Sequence, residues 1–289
     1  MEIKKIKIND LTVFIPLKLK EKYNILSFFT TRNGGFGSGK YDSLNMAYHV
    51  GDDPQTVKKN RLKILNVFGY DDKTVNLVSA NQIHSNKILI INERFLKENP
   101  SFENNVFNFN PLDLNSSNIF SADGMITGIP KLPLMVMGAD CNLILFADIR
   151  NKIIAAVHAG WKGVLNQIAL NVLDAFKDEF NSNLKNVYVF FGPSIRKCCF
   201  RVSEDIFDLF YRKFNKTLKY EEIKDYMGRS KYFYIDLINI ILNDMIKSAV
   251  LEKNIFDLGL CTYCNPENLF FSYRKEQETG RQAGIIMIE

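Results

Sequence analysis

Residues 138–163 read GADCNLILFADIRNKIIAAVHAGWKG, and the fold turns on how this stretch is read. Two apolar runs flank the polar turn Asp148-Ile-Arg-Asn-Lys152, which predicts a pair of strands joined as a hairpin. A thiol, Cys141, stands at one end, and an imidazole, His158, lies 17 positions later at the other. A soft thiol and an imidazole bracketing one hairpin fit a metal site, a Cys/His nucleophile pair or ordinary core, and the residues alone leave all three open.

Upstream, residues 132–137 read as a strand feeding this hairpin, and Ser121-Ala-Asp-Gly-Met-Ile-Thr127 precedes it. Asp123 and Asp140 both sit at strand edges beside small residues, where a carboxylate orients a ligand or closes a turn. Residues 75–79 and 87–92 read as strands on either side of Ala80-Asn-Gln-Ile-His-Ser85, which places His84 at a strand end. Asp53 and Pro54 form a helix start, and Val57, Leu62, Leu65 and Phe68 mark one face of a helix ending near Gly69. His49, just before that cap, reads as structural. A strand over 25–31 ends in Thr30-Thr-Arg-Asn-Gly-Gly-Phe-Gly-Ser-Gly39. These glycines let backbone N–H groups approach an anion, with Arg32 as a fork, although the Gly-Lys-Ser/Thr ending of a Walker loop is absent.

Downstream, the stripe Val164, Ile168, Val172, Leu173, Phe176 and Phe180 predicts one helix over 161–180, starting at Gly160-Trp-Lys-Gly163 with its free N–H groups toward the strand end that bears His158. Strands at 187–191 and 283–288 and helices at 203–214 and 236–250 follow. Residues 97–118 lack periodicity and are crowded with asparagine, which predicts a loop insertion. Strands and helices recur from end to end, so a single domain over 1–289 is expected.

The composition, 46% apolar and 24% charged, is that of a globular chain, and no apolar run is long enough to span a membrane. The first residues lack the pattern of a secretory leader, which predicts a cytoplasmic protein. A net charge of +5 with no block of like charges argues against nucleic acid as a partner. The five cysteines are odd in number and read as thiols. Cys261 and Cys264 form a Cys-x-x-Cys, a candidate metal or redox pair, but a zinc ribbon needs two such knuckles and a thioredoxin-like pair a helix start, so they read as buried or spare thiols. The zinc deaminase pattern, His-x-Glu followed by Pro-Cys-x-x-Cys, is missing.

Eight blocks in order carry a resemblance: Thr-Thr-Arg-Asn-Gly-Gly-Phe-Gly-Ser, Leu-Asn-Met-Ala-Tyr-His-Val-Gly-Asp, Asn-Gln-Ile-His-Ser, Ala-Asp-Gly-Met-Ile-Thr, Ala-Asp-Cys, Val-His-Ala-Gly-Trp-Lys-Gly, Gly-Pro-Ser-Ile, and Phe-Phe-Ser-Tyr-Arg with Thr-Gly-Arg. Together they resemble the laccase-domain family, named as multicopper polyphenol oxidases and later described as zinc-containing purine nucleoside phosphorylases that also deaminate adenosine. The resemblance implies an α+β fold, a four-layer α/β/β/α sandwich of two mixed sheets flanked by helices, similar to the catalytic domain of cytotoxic necrotizing factor toxins. It also implies that His84, Cys141 and His158 are the metal ligands.

Three histidines are too few for a multicopper cluster, and a thiolate with two imidazoles suits one Zn2+, with a single copper as the alternative. The expected partners are purine nucleosides and phosphate. Arg32 is expected to hold phosphate, with Lys162 and Arg274 as further candidates; Asp123 and Asp140 are expected as proton carriers or supports of the ligands, and Asn45 and Arg274 as substrate contacts. Three alternatives stand beside this reading: a Cys/His hydrolase with Cys141 as nucleophile, a polyphenol oxidase, and a non-enzymatic partner protein with a structural metal.

Overall fold

Every residue of the two central strands, β7 (Asn142–Asp148) and β8 (Ile153–Ala159), is buried, so both of their faces must be covered. They pair antiparallel from Asn142 opposite Ala159 to Asp148 opposite Ile153. Asp148 closes the turn by accepting the N–H groups of Arg150 and Asn151 at 2.9 and 3.2 Å. The computed structural model describes residues 1–71, 74, 75, 77–99 and 120–289. The expected insertion at 97–118 therefore lies outside the described residues from position 100 on, while Lys97 and Glu98 close a short helix, Glu93–Glu98.

The hairpin is the middle of a six-stranded mixed sheet in the order β13 (Ile255–Asp257), β9 (Val187–Phe191), β7, β8, β5 (Gly124–Thr127), β4 (Ile88–Ile91). Its two outermost pairings are parallel and its inner ones antiparallel. Ile144, Phe146, Ala155 and Val157 face a core built with the helices Ile168–Phe180 and Leu237–Lys247. Leu143, Leu145, Ile154 and Ala156 face a second core against the other large sheet. That sheet runs β1 (Lys4–Ile8), β2 (Leu11–Ile15), β3 (Ile25–Thr30), β14 (Gln282–Ile288), β6 (Leu134–Gly138). Its named strands pair antiparallel, and an isolated parallel bridge joins Val78 to Leu134. Its outer face packs on the helix Pro54–Val67 through Leu26, Phe28, Ile64 and Leu65. The result is the expected helix/sheet/sheet/helix sandwich. A further small sheet, β10 (Arg201–Val202), β12 (Ser230–Ile235), β11 (Tyr220–Lys224), adds Val202, Phe233 and Ile235 to the core on the helix side of the six-stranded sheet.

Between the large sheets, the ring of Phe29 is fully buried in a slot made by two glycines. A Cβ placed on Gly192 would come within 2.5 Å of that ring, and one on Gly284 within 3.0 Å. Glycine is required at both positions because another group passes where a side chain would start.

Several sequence expectations give way to tertiary structure. The single helix expected over 161–180 is two, Trp161–Leu165 and Ile168–Phe180, because Gln167 takes a left-handed φ of 56° between them. One short turn of helix carries little dipole, which removes the anion-binding argument at Gly160. Residues 75–79 contribute, among those described, only the bridge at Val78. The helix start at Asp53 is as expected, its carboxylate accepting the N–H groups of Gln55 and Thr56. No helix among the described residues is long and apolar enough to cross a membrane.

Candidate metal centre

Three separate chain segments bring His84, Cys141 and His158 together so that their ligand atoms all lie within 4.8 Å of one another. His158 continues the row of Ile154 and Ala156 on β8 and is buried. Cys141 immediately precedes β7, after Asp140, whose φ of 95° turns the chain into the strand. His84 sits in the loop before β4, itself left-handed at φ 58°, with its ring edge-on to that of His158 at 4.9 Å between centroids. Gly160 lies against the group: a Cβ there would meet the His84 ring at 3.0 Å and the Cys141 sulfur at 3.1 Å. The missing side chain leaves that space free.

Asp123 organises the cluster. Its carboxylate accepts the backbone N–H groups of Ile83, His84 and Ser85 at 3.3, 3.0 and 2.6 Å and the Ser85 hydroxyl at 2.7 Å. Its Oδ1 also lies 2.9 Å from Nδ1 of His158, and its carbonyl accepts the His158 N–H at 2.7 Å. One carboxylate thus shapes the loop that carries His84 and leaves Nε2 of His158 for the cluster, the arrangement that supports metal-binding histidines. Gln82 pins the same loop to β6 by donating to the Met137 carbonyl at 2.7 Å and accepting its N–H at 2.8 Å.

Burial by itself would drive the Asp123 carboxyl up, but the hydrogen bonds from His158 and Ser85 hold it below its ordinary value. Burial also raises the Cys141 thiol, yet the two histidines overcome that and bring it down to about 6. Burial lowers His158, and the Cys141 thiolate and Asp123 outweigh it, bringing the ring up to about 9. A thiolate and two imidazoles with one ring tautomer fixed can bind a metal ion. Asp123→Asn is expected to lower metal affinity about 10- to 100-fold with little change in secondary structure, read by competition against a chromophoric chelator.

The other residues singled out from the sequence fall differently. The Arg32 guanidinium pairs with Glu276 at 2.7 Å, donates to the Asp42 carbonyl at 2.8 Å and lies over the Phe271 ring. The glycine loop is bonded to the chain itself. The N–H groups of Gly35, Phe36 and Gly37 are bonded to the Ser43 hydroxyl, Asn60 and the Ser43 carbonyl. A Cβ on Gly35 would lie 2.2 Å from the Ser43 carbonyl oxygen, so this glycine serves close backbone packing.

The Asn45 amide is engaged within the protein itself. It donates to the Ala47 carbonyl and Asp52 and accepts from the N–H groups of Ala47 and Arg281. The Asp140 carboxylate accepts the Thr262 hydroxyl at 2.6 Å and the Arg274 N–H at 2.7 Å, while its carbonyl accepts from Ile195. Those bonds hold its left-handed backbone. The Arg274 guanidinium donates to the Arg201 carbonyl at 3.0 Å, and Lys162 is exposed with its ammonium 5.6 Å from the Trp161 ring.

Two neighbours escaped the sequence reading. Arg281, in the quoted Thr-Gly-Arg block, lies close enough to Cys141 and Asp140 for their charges to act on it. Its Nη1 is tied to the carbonyls of Thr279 and Gly280 at 2.7 and 2.9 Å. His49, read as structural, keeps solvent access, yet the protein crowded around it and the cations Arg281 and Arg61 hold its pKa down to about 4. It is a neutral imidazole within electrostatic reach of His84 and His158.

Comparison with known proteins agrees with this architecture. A family described as multi-copper polyphenol oxidoreductase laccase matches residues 26–289. A protein of Corynebacterium glutamicum named purine nucleoside phosphorylase is 31% identical over 260 residues, covering 90% of this chain and 93% of that one. A Haemophilus influenzae protein of the same name is 29% identical over 266 residues, covering 92% and 95%. The crystal structure of the hypothetical protein YfiH of Bacillus licheniformis superposes with a TM-score of 0.81 at 25% identity, covering 98% of each chain.

Proposed function

From the premise that this chain belongs to the multi-copper polyphenol oxidoreductase laccase family, we propose that it is a zinc-dependent purine nucleoside phosphorylase that also deaminates adenosine. The observation that carries the reading is the His84–Cys141–His158 cluster with the Arg281 cation beside it, in a chain whose relatives bear the phosphorylase name over nearly their whole length. The family's name speaks of several coppers, but three histidines cannot furnish them. His84, Cys141 and His158 would hold one zinc ion, which supplies, when bound, a Lewis-acid charge that polarises a substrate atom or activates water.

In phosphorolysis a phosphate oxygen attacks the anomeric carbon, the carbon–nitrogen bond breaks, and the purine leaves with the electron pair and takes up a proton. The chain's own part is to bind and orient the two reactants. Arg281 replaces Arg32 as the group that holds phosphate, because only its Nη1 is tied to its own loop. His49, held neutral, offers a hydrogen-bonding edge to the base, and Lys162 adds a mobile cation at the rim. Asn45 and Asp140 act as positioning residues, the first for Arg281 and the second for Cys141.

The test incubates zinc-replete protein with adenosine or inosine, with and without phosphate, and separates adenine, hypoxanthine and inosine. Phosphate-dependent base release is expected, and inosine from adenosine reports deamination; no phosphate-dependent release from either nucleoside overturns the reading. Arg281→Ala is expected to raise the KM for phosphate about 10- to 100-fold, the worth of a charge-assisted hydrogen bond, with Arg281→Lys restoring part of it.

One observation favours a second reading. A Cys141 thiolate, a His158 imidazolium and Asp123 behind the ring also make a Cys/His/Asp nucleophile set. Such a set has no use for His84, yet His84 is in ligand reach of both.

A further inference from the structure

Of the five cysteines in the chain, one belongs to the cluster above, and the other four meet at a different place. We propose that Cys198, Cys199, Cys261 and Cys264 form a second metal site, a closed four-thiolate zinc site that clamps the loop after β9 to the loop after β13.

The geometry fits the ion. All four sulfurs lie within 4.8 Å of one another, and those of Cys198 and Cys264 are 3.7 Å apart. Four sulfurs placed tetrahedrally at the usual zinc–sulfur distance of about 2.3 Å are separated by roughly 3.8 Å. A disulfide would join two of them at about 2 Å and leave the convergence of the other two unexplained.

The site is also prepared for negative sulfur. Backbone N–H groups of Cys264, Arg196 and Tyr263 turn toward the Cys261 sulfur, so the Cys-x-x-Cys folds back on its own first thiol.

The two loops are joined by other means as well, so little ordering remains for the ion to impose. Arg196 forks onto both carboxylate oxygens of Asp257 at 2.7 Å and donates to the Gly192 carbonyl at 3.1 Å. Ser194 and Cys261 form a parallel bridge. Thr262, inside the Cys-x-x-Cys, donates to Asp140, and Ile195, three residues before Cys198, donates to the Asp140 carbonyl. The clamp thus backs the left-handed residue that presents Cys141. Read from the sequence alone, Cys261 and Cys264 were a single knuckle; the second half is the adjacent pair Cys198 and Cys199, more than sixty positions earlier.

The experiment counts metal in full-length protein produced with zinc and purified under reducing conditions. About two zinc ions per chain are expected, falling to about one in Cys141→Ala and to about one in the double variant Cys198→Ser/Cys264→Ser. Zinc retained by the double variant shows that it has folded. Cobalt(II) in Cys141→Ala is expected to give a sulfur-to-cobalt charge-transfer band several times more intense than cobalt in the double variant, which keeps only the Cys141 thiolate. In the wild type, the exposed Cys198 and Cys264 are expected to resist iodoacetamide until a chelator strips the zinc, a measurement that needs no variant. One zinc per chain lost entirely in Cys141→Ala, an unchanged count in the double variant, a disulfide found by mass spectrometry in the reduced wild type, or immediate alkylation of Cys198 and Cys264 overturns the proposal.

Discussion

Cys141→Ala is expected to lower kcat/KM by about a thousandfold or more and to remove the ion held with His84 and His158, while the circular dichroism spectrum stays that of the parent. The size follows from the several kcal/mol of charge stabilisation that a Lewis-acid ion supplies, each about 1.4 kcal/mol being a factor of ten. The same variant separates the metal enzyme from the nucleophile enzyme, since a thiol nucleophile gives equal inactivity with the metal content unchanged. Two further measurements sharpen the contrast. His84→Ala is as damaging as Cys141→Ala if the residue is a ligand, and nearly silent if Cys141 and His158 act as a pair. Added zinc restores stripped wild-type protein in the first case and does nothing in the second.

Phe29→Ala is expected to carry the largest loss of stability, about 3–5 kcal/mol, because it empties a fully buried slot between the two large sheets. For a chain of this size that lowers the melting temperature by on the order of 10 °C. The two glycines make the prediction more specific. Gly192→Ala alone forces a methyl into the Phe29 ring and costs about 1–3 kcal/mol. In the Phe29→Ala background the same methyl enters the vacated space, so the double variant is expected to be more stable than the sum of the singles implies. Strict additivity in urea denaturation would show that the slot relaxes on its own and that the glycines are not reserved for the ring.

Much of the architecture was legible because its strongest signals are local. The hairpin of β7 and β8 declares itself by two unbroken apolar runs around a polar turn, and Asp53 with Pro54 marks a helix start whatever surrounds it. What escaped depends on partners distant in the chain. Residues 1–24 carry no assignment in the sequence reading, yet β1 and β2 pair from Lys4 opposite Ile15 to Ile8 opposite Leu11, with Asn9 left-handed at the turn. The break at Gln167 is invisible to an apolar stripe that runs straight across it.

The site follows the same division. Cysteine and histidine announce metal chemistry by type, but their spacings of 57 and 17 residues say nothing about convergence, so the ligand set came through the resemblance. Gly34, Gly35 and Gly37 signalled close approach, and the approaching groups are backbone of the chain itself. Arg281 was quoted within Thr-Gly-Arg without a role, because its nearness to Cys141 exists only once β14 lies beside β6.

That placement of β14 sets an order of events. Among the described residues, β14 links β3 to β6 in the five-stranded sheet, although it follows the other described strands of both large sheets in the chain. During synthesis, β1 to β3 leave the ribosome as one fragment and β6 with the hairpin of β7 and β8 as another, and their edges pair through residues 282–288. Arg281 comes with them. The nascent chain can therefore gather its thiol and imidazoles early, whereas the cation we assign to phosphate joins them only with β14.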